Sequence, residues 1–102
     1  MSAFVLIDVH EVTDEEKMNE YRSKVFANVA EFEGTYRVVG GEQTELEGEA
    51  AFKFPVLIEF ANKEKALRWY ESPEYRPLRE LRLASTHGTG VLIDGDVNPF
   101  VS

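Results

Sequence analysis

The sequence contains no cysteine. Disulfides and thiolate metal sites are thereby excluded. Its two histidines, His10 and His87, give no metal-ligand spacing, and no metal or cofactor is expected. Positive charge is scarce: eleven Lys and Arg stand against nineteen Asp and Glu, a formal net charge of −8. A surface for nucleic acid or for an anionic membrane needs clustered cations, so neither is expected as a partner. Long apolar runs are missing too. The run Phe4-Val5-Leu6-Ile7 is broken by Asp8 and has no basic flank. It reads as a strand, not as a signal peptide or a membrane span. The expected location is the cytoplasm. There is no Gly-x-Ser-x-Gly motif, and no Lys-Ser/Thr follows Gly40-Gly41 to make a phosphate loop.

What is present fits one small globular domain. The chain has 102 residues, 43% hydrophobic and 29% charged, enough for a single modest core. A domain of this size without covalent staples often gains stability by oligomerising. Residues 4–10 form a first strand, with Val5, Ile7 and Val9 on one face and Phe4, Leu6, Asp8 and His10 on the other. Thr13 and Glu16 have capping-box spacing and open a helix carrying Met18, Tyr21, Arg22, Val25, Val29 and Phe32 at helical intervals. Gly34 stands where a C′ glycine belongs. Residues 35–39 are a second strand, Gly40-Gly41 a turn or bulge, and residues 42–46 a short extension or edge strand ending at Gly48. Residues 54–60 are a third strand, with Pro55 tolerated near its start. Asn62 caps a second helix reaching Tyr70. Ser72-Pro73 begins a new helical segment, in which Pro77 produces a kink or confines the start to a looser turn. Residues 86–90 read as a loop, 91–94 as the last strand, and 96–102 as an extended or frayed tail beyond a domain of residues 1–95.

The order βαββαβ predicts an α+β, ferredoxin-like fold: an antiparallel sheet with helices on one face. The opposite face is apolar as well, because Phe4, Leu6 and Leu57 oppose Val5, Ile7, Val9, Val56, Ile58 and Phe60. One helical layer cannot cover both faces. A symmetric homodimer that buries the second face is therefore expected.

The segment Trp69-Tyr70-Glu71-Ser72-Pro73-Glu74-Tyr75-Arg76-Pro77-Leu78-Arg79-Glu80-Leu81-Arg82 resembles a motif of the domain of unknown function 1330 family. Further pieces agree in order: the Asp8 strand, Val12-Thr13-Asp14, Tyr21, Gly40-Gly41, Leu46-Glu47-Gly48, Ile58-Glu59-Phe60 and Asp94-Gly95, so that the resemblance spans residues 3–95. It departs at Val39, where the family often has a basic residue for which Arg37, two residues earlier and expected on the same strand face, is a candidate substitute, and at Glu49 to Phe54, where a Trp and an Arg are usual. The resemblance implies a dimeric α+β barrel with a pocket between sheet and helices. The wider group includes cofactor-free monooxygenases, isomerases and stress-related proteins, and the resemblance names no activity.

Several residues carry possible chemistry. Asp8 and His10 share a strand face and are read either as an acid–base pair or as a surface strand end. Glu59 lies among apolar neighbours and is read either as paired with Arg82 or Arg37, or as a pocket carboxyl with a raised pKa. Trp69 and Tyr75 are candidates for an aromatic ligand wall; core packing is the alternative and the favoured reading for Trp69, while Tyr75, whose hydroxyl needs a partner, is the better pocket candidate. Arg76, Arg79 and Arg82 form a basic stripe, and Arg82, inside an apolar stretch, is the candidate anion anchor. Tyr21 and Arg37 complete the ligand-binding candidates. One functional reading is a cofactor-free enzyme of isomerase, cyclase or monooxygenase type. It would act on a small aromatic or carboxylated metabolite, with His10 or Glu59 moving a proton. The other is a non-catalytic, structural or stress-related dimer. Convergence of Glu59, His10 and Arg82 on a pocket favours the first; a closed Glu59–Arg82 ion pair favours the second.

Overall fold

A computed structural model describes residues 2–49, 52–95 and 100 of the chain. The element order is β1 (Ala3–Val12), α1 (Glu15–Glu31), β2 (Thr35–Val39), β3 (Pro55–Phe60), α2 (Lys63–Tyr70), α3 (Arg76–Ser85) and β4 (Thr86–Asp94). The sheet runs β2-β3-β1-β4 with every neighbouring pair antiparallel. This is the ferredoxin-like α+β fold expected from the sequence. The tail reading for 96–102 falls largely outside the described residues.

Period-two alternation decides what the sheet buries. Ala3, Val5 and Ile7 of β1 and Ile58 and Phe60 of β3 point toward the helices and are buried with Val25, Val29, Ala66, Trp69, Tyr75 and Leu78. Trp69 lies at the centre of this core. Its ring stacks on Phe60 at 5.4 Å, and its indole N–H donates to Asn28 Oδ1 at 2.8 Å. The opposite face carries Phe4, Leu6 and Leu57, with Ile93 and Val91 of β4 beside Phe4 and Leu6 and Val38 of β2 beside Leu57. Val38, Val91 and Ile93 are exposed.

Local details differ from the sequence expectation for identifiable reasons. Asp14, not Thr13, caps α1 by accepting from the Lys17 N–H at 3.1 Å, while the Thr13 N–H is used by Ser85 O at 2.7 Å. At the other end of α1 the left-handed residue is Glu33, with φ 64°, and not Gly34. Gly34 follows it in a Schellman closure, its N–H donating to Val29 O and that of Glu33 to Ala30 O. Glycine is needed at position 34 for space, since a Cβ there would lie 2.6 Å from Val29 Cγ1.

Residues 42–49 form no strand. Segment 71–75 is a turn and not the first turn of a helix; Ser72 Oγ accepts from the Tyr75 N–H, and Pro77 sits harmlessly in the first turn of α3. The Gly- and Thr-rich stretch read as a loop is instead the start of β4. Gly88 passes so close to Asp8 that any side chain would overlap the Asp8 carbonyl oxygen, which is why a glycine stands within this strand.

Candidate functional site

A cavity of about 240 Å3 opens between the sheet and helices α1 and α3. Ile7 and Val9 of β1, Tyr36 of β2 and Val56 and Ile58 of β3 form its floor; Met18, Tyr21 and Val25 of α1 and Arg82 of α3 cover it. His10, Arg22, Val39 and Phe54 lie on its more exposed rim.

Arg82 is the chemical centre of this cavity. It is only 7% exposed, yet no carboxylate among the described residues pairs with it. Its Nε donates to Tyr75 Oη at 3.4 Å, and Tyr75 Oη is 2.9 Å from Tyr21 Oη. Among the described residues no fully buried side-chain nitrogen or oxygen lacks a partner. The Nη groups of Arg82, for which no hydrogen bond is found among the described residues, are therefore not fully buried, and the residue lines the cavity. Burial opposes the charged form of Arg82, but the hydroxyls of Tyr75 and Tyr21 outweigh it, so the net shift is upward and the residue remains a cation. Burial, with the Tyr75 hydroxyl beside it, pushes the Tyr21 phenol far up. Burial likewise pushes the Tyr36 phenol up, with Tyr75 adding to it. Both phenols stay neutral and offer O–H groups rather than phenolates.

Asp8 and His10 do come together, with His10 Nε2 3.0 Å from Asp8 Oδ2. The β1–β4 register slips between Val9 and Glu11, and this bulge at His10 brings its ring to the cavity rim. The Asp8 carboxylate also accepts backbone N–H groups, from Phe54 at 2.9 Å and Lys53 at 3.0 Å. It thus ties the segment bearing Phe54 to β1, and with it one side of the rim.

The structure decides between the alternatives at three places. Glu59 does not converge with His10 and Arg82. It lies on the opposite sheet face, where its carboxylate accepts from Arg37 Nε at 2.8 Å and from Ser2 Oγ. These two hydrogen bonds, Ser2 first, hold its carboxyl below the usual value rather than above it. Arg37 and Val39 do not share a face, because the β2–β3 register slips between Tyr36 and Val38; Val39 faces the cavity rim while Arg37 turns to Glu59. Trp69 is a core residue, and Tyr75, also fully buried, stands behind Tyr21 and Arg82 without lining the cavity. Tyr36, Phe26 and Phe54 line the cavity but are not among the sequence candidates. Alternation carries a signal for Tyr36, since the strand neighbour of an outward Arg37 faces inward. Among the described residues no three His, Asp or Glu side chains are grouped as metal ligands. None of the helices found there is long and apolar enough to cross a membrane.

Fold and cavity together define a ferredoxin-like α+β protein with a buried cation in an apolar pocket. The chain belongs to the family described as Domain of unknown function (DUF1330), whose model matches residues 2–96. No curated protein matches it. Among solved structures it is similar to a protein of unknown function from Rhodopseudomonas palustris, with a TM-score of 0.71 and 14% identity, covering 96% of this chain and 84% of that one. A dimeric ferredoxin-like protein of unknown function from Jannaschia sp. CCS1 is similar at a TM-score of 0.69 and 15% identity, over 95% of this chain and all (100%) of that one. SnoaB, a cofactor-independent oxygenase from Streptomyces nogalater, is similar at a TM-score of 0.52 and 13% identity, over 96% and 94% of the two chains.

Proposed function

We propose that this protein is a homodimer that binds a small organic anion with an apolar body, the anionic group resting on Arg82 and the body in the cavity between sheet and helices. One observation carries the reading: a buried guanidinium without a carboxylate partner among the described residues, facing an apolar chamber. An uncompensated buried charge is costly in a folded protein. A bound carboxylate, enolate or phenolate would neutralise Arg82, and the Tyr21 hydroxyl beside it would add a hydrogen bond. Homodimerisation is supported by the apolar outer sheet face and by the dimeric description of the Jannaschia protein.

A cofactor-free reaction is a second reading, favoured by the Asp8–His10 contact. His10 Nε2 stands 3.0 Å from an oxygen of the buried Asp8 carboxylate. An imidazole oriented by a neighbouring carboxylate is suited to proton transfer. His10 would take a proton from a carbon or oxygen acid whose developing negative charge Arg82 stabilises. Glu59, on the other face, has no part in this.

The test is a thermal-shift screen of aromatic and aliphatic acids, quinones and lactones. At a hundredfold excess over Kd a ligand of the native state contributes about 2.7 kcal/mol, a rise in Tm on the order of 10 °C for a domain of this size. Arg82→Met should abolish the rise for acids, and His10→Ala should leave binding but remove any turnover. Absence of any stabilising acid, or equal stabilisation of Arg82→Met, would overturn the binding reading. Sedimentation showing only monomer at micromolar concentration would overturn the dimer.

A further inference from the structure

A second chamber lies on the other side of Arg82. It measures about 210 Å3 and is lined by Val5 and Ile7 of β1, Ala66, Leu67 and Tyr70 of α2, and Gly90, Val91 and Leu92 of β4. The two chambers share two lining residues, Ile7 and Arg82. Arg82 is thus a charged partition with an apolar space on each side. Each space exceeds the roughly 150 Å3 in which a dry engineered cavity holds benzene. A ligand with a terminal charge and a single apolar tail fills one chamber only and leaves the other vacant beside a desolvated cation.

Resting on the anion-binding reading above, we infer that the ligand carries its charge between two apolar arms, one arm for each chamber. The chemical class is an α-branched carboxylate, or an enolate flanked by two apolar substituents. The anionic group meets the Nη atoms of Arg82; one arm packs on Val9, Val25 and Ile58, the other on Leu67 and Leu92. Ile7 supports both arms from below. Gly90 keeps the second chamber open. Its backbone is not in the left-handed region, and a Cβ built on it would make only ordinary contact with Ile7 Cγ1, at 3.7 Å. A larger residue at position 90 is therefore tolerated by the backbone and would grow into the chamber.

Isomeric acids separate this inference from simple anion binding. Diphenylacetate and 4-biphenylacetate have the same atoms and charge, but only the first has two arms at the charged carbon. The same holds for 2-propylpentanoate and octanoate. Benzoate, which needs one chamber, is the control. Calorimetric Kd values for the wild type should favour each two-armed isomer by at least tenfold. Gly90→Leu should weaken the two-armed isomers tenfold or more, while benzoate binding stays within about threefold. Leu67→Trp, at a half-exposed position on the same chamber wall, should act in the same way and guards against a folding defect in the first variant. Arg82-dependent benzoate binding with no preference between isomers would overturn the inference and leave the anion-binding reading standing. So would a preference that both chamber variants retain. No binding of any acid would overturn both.

Discussion

Replacing Arg82 by Met should abolish anion binding and leave the protein at least as stable. Arg82 is 7% exposed and has no carboxylate partner among the described residues. The effective penalty for burying an ion is several kcal/mol after relaxation. Against it stands one hydrogen bond, Arg82 Nε to Tyr75 Oη, which is long at 3.4 Å. A hydrogen bond to a charged group contributes about 1.5–3 kcal/mol at good geometry, and this one belongs at or below the lower end. Methionine keeps most of the apolar stem, and the Tyr75 hydroxyl retains Tyr21 Oη at 2.9 Å, so no orphaned polar atom is created. The net expectation is a stabilisation of about 1–2 kcal/mol, with Tm raised by several degrees. The assay is urea denaturation followed by fluorescence of Trp69, the only tryptophan, fully buried in the core. The same preparation should show no response to acids that stabilise the wild type. A loss of more than about 2 kcal/mol would refute the reasoning, because it would make Arg82 a structural tie between α3 and α1 and not a binding group.

Single contacts yield the remaining predictions. Gly34→Ala should cost about 1–3 kcal/mol by overpacking, since its Cβ would lie 2.6 Å from Val29 and 2.8 Å from the Phe60 ring; unchanged urea unfolding would contradict this. Glu59 titrates below the ordinary value of 4.5 because of Ser2 and Arg37. A depressed carboxyl contributes stability above its unfolded-state pKa and loses it as pH falls through the lower folded value. Glu59→Gln should thus be less stable than wild type near neutrality and converge with it toward pH ~3, and a constant gap across that range would refute the assignment. Leu6→Glu places a charge in the middle of the outer apolar face and should convert the dimer to monomer in sedimentation at micromolar concentration; an unchanged dimer would move the interface elsewhere. Asp8→Ala removes the acceptor of the Lys53 and Phe54 N–H groups. It should raise amide exchange at both positions and weaken ligand binding, without unfolding the sheet.

The element order was legible because each element announces itself by period: alternation in residues 4–10 and 54–60, helical spacing from Met18 to Phe32, and Asn62 as a cap. The burial of Arg82 is legible because the residue stands within the apolar stretch Leu81-Arg82-Leu83. The side of the sheet bearing the pocket was not legible. Both faces of β1 and β3 are apolar, and alternation says which residues travel together but not which set the helices cover. Glu59 thereby reads equally as a pocket carboxyl or as a partner of Arg37 or Arg82, and only its position on the Leu57 side selects Arg37. The two bulges, at His10 and Arg37, also escaped, because a one-residue slip reverses the facing of every later residue in the strand and leaves no composition signal. β4 was shortened for a related reason. Thr86 to Gly90 has loop composition, yet Gly88 serves a close approach to β1, which only the pairing reveals.

The physical costs in this molecule are concentrated in one place. Elsewhere the core is close to ideal: Trp69 has Asn28 for its indole, Ser85 Oγ donates to Leu81 O, and the start of α1 is capped by Asp14. Across the cavities the rules are broken together. A cation is buried without a counter-ion among the described residues, two spaces flank it, and two phenols are pushed away from ionisation beside it. A staple-free domain of 102 residues has little stability to lose. A leucine at position 82 would close the partition and remove the buried charge. Stability alone therefore gives no reason for arginine there, whereas an anion lodged between the chambers offsets the charge, fills the spaces and gives the Tyr21 hydroxyl an acceptor. Departures from local consistency that cluster at one site, in an otherwise well-satisfied fold, are the pattern that the proposed anion binding accounts for.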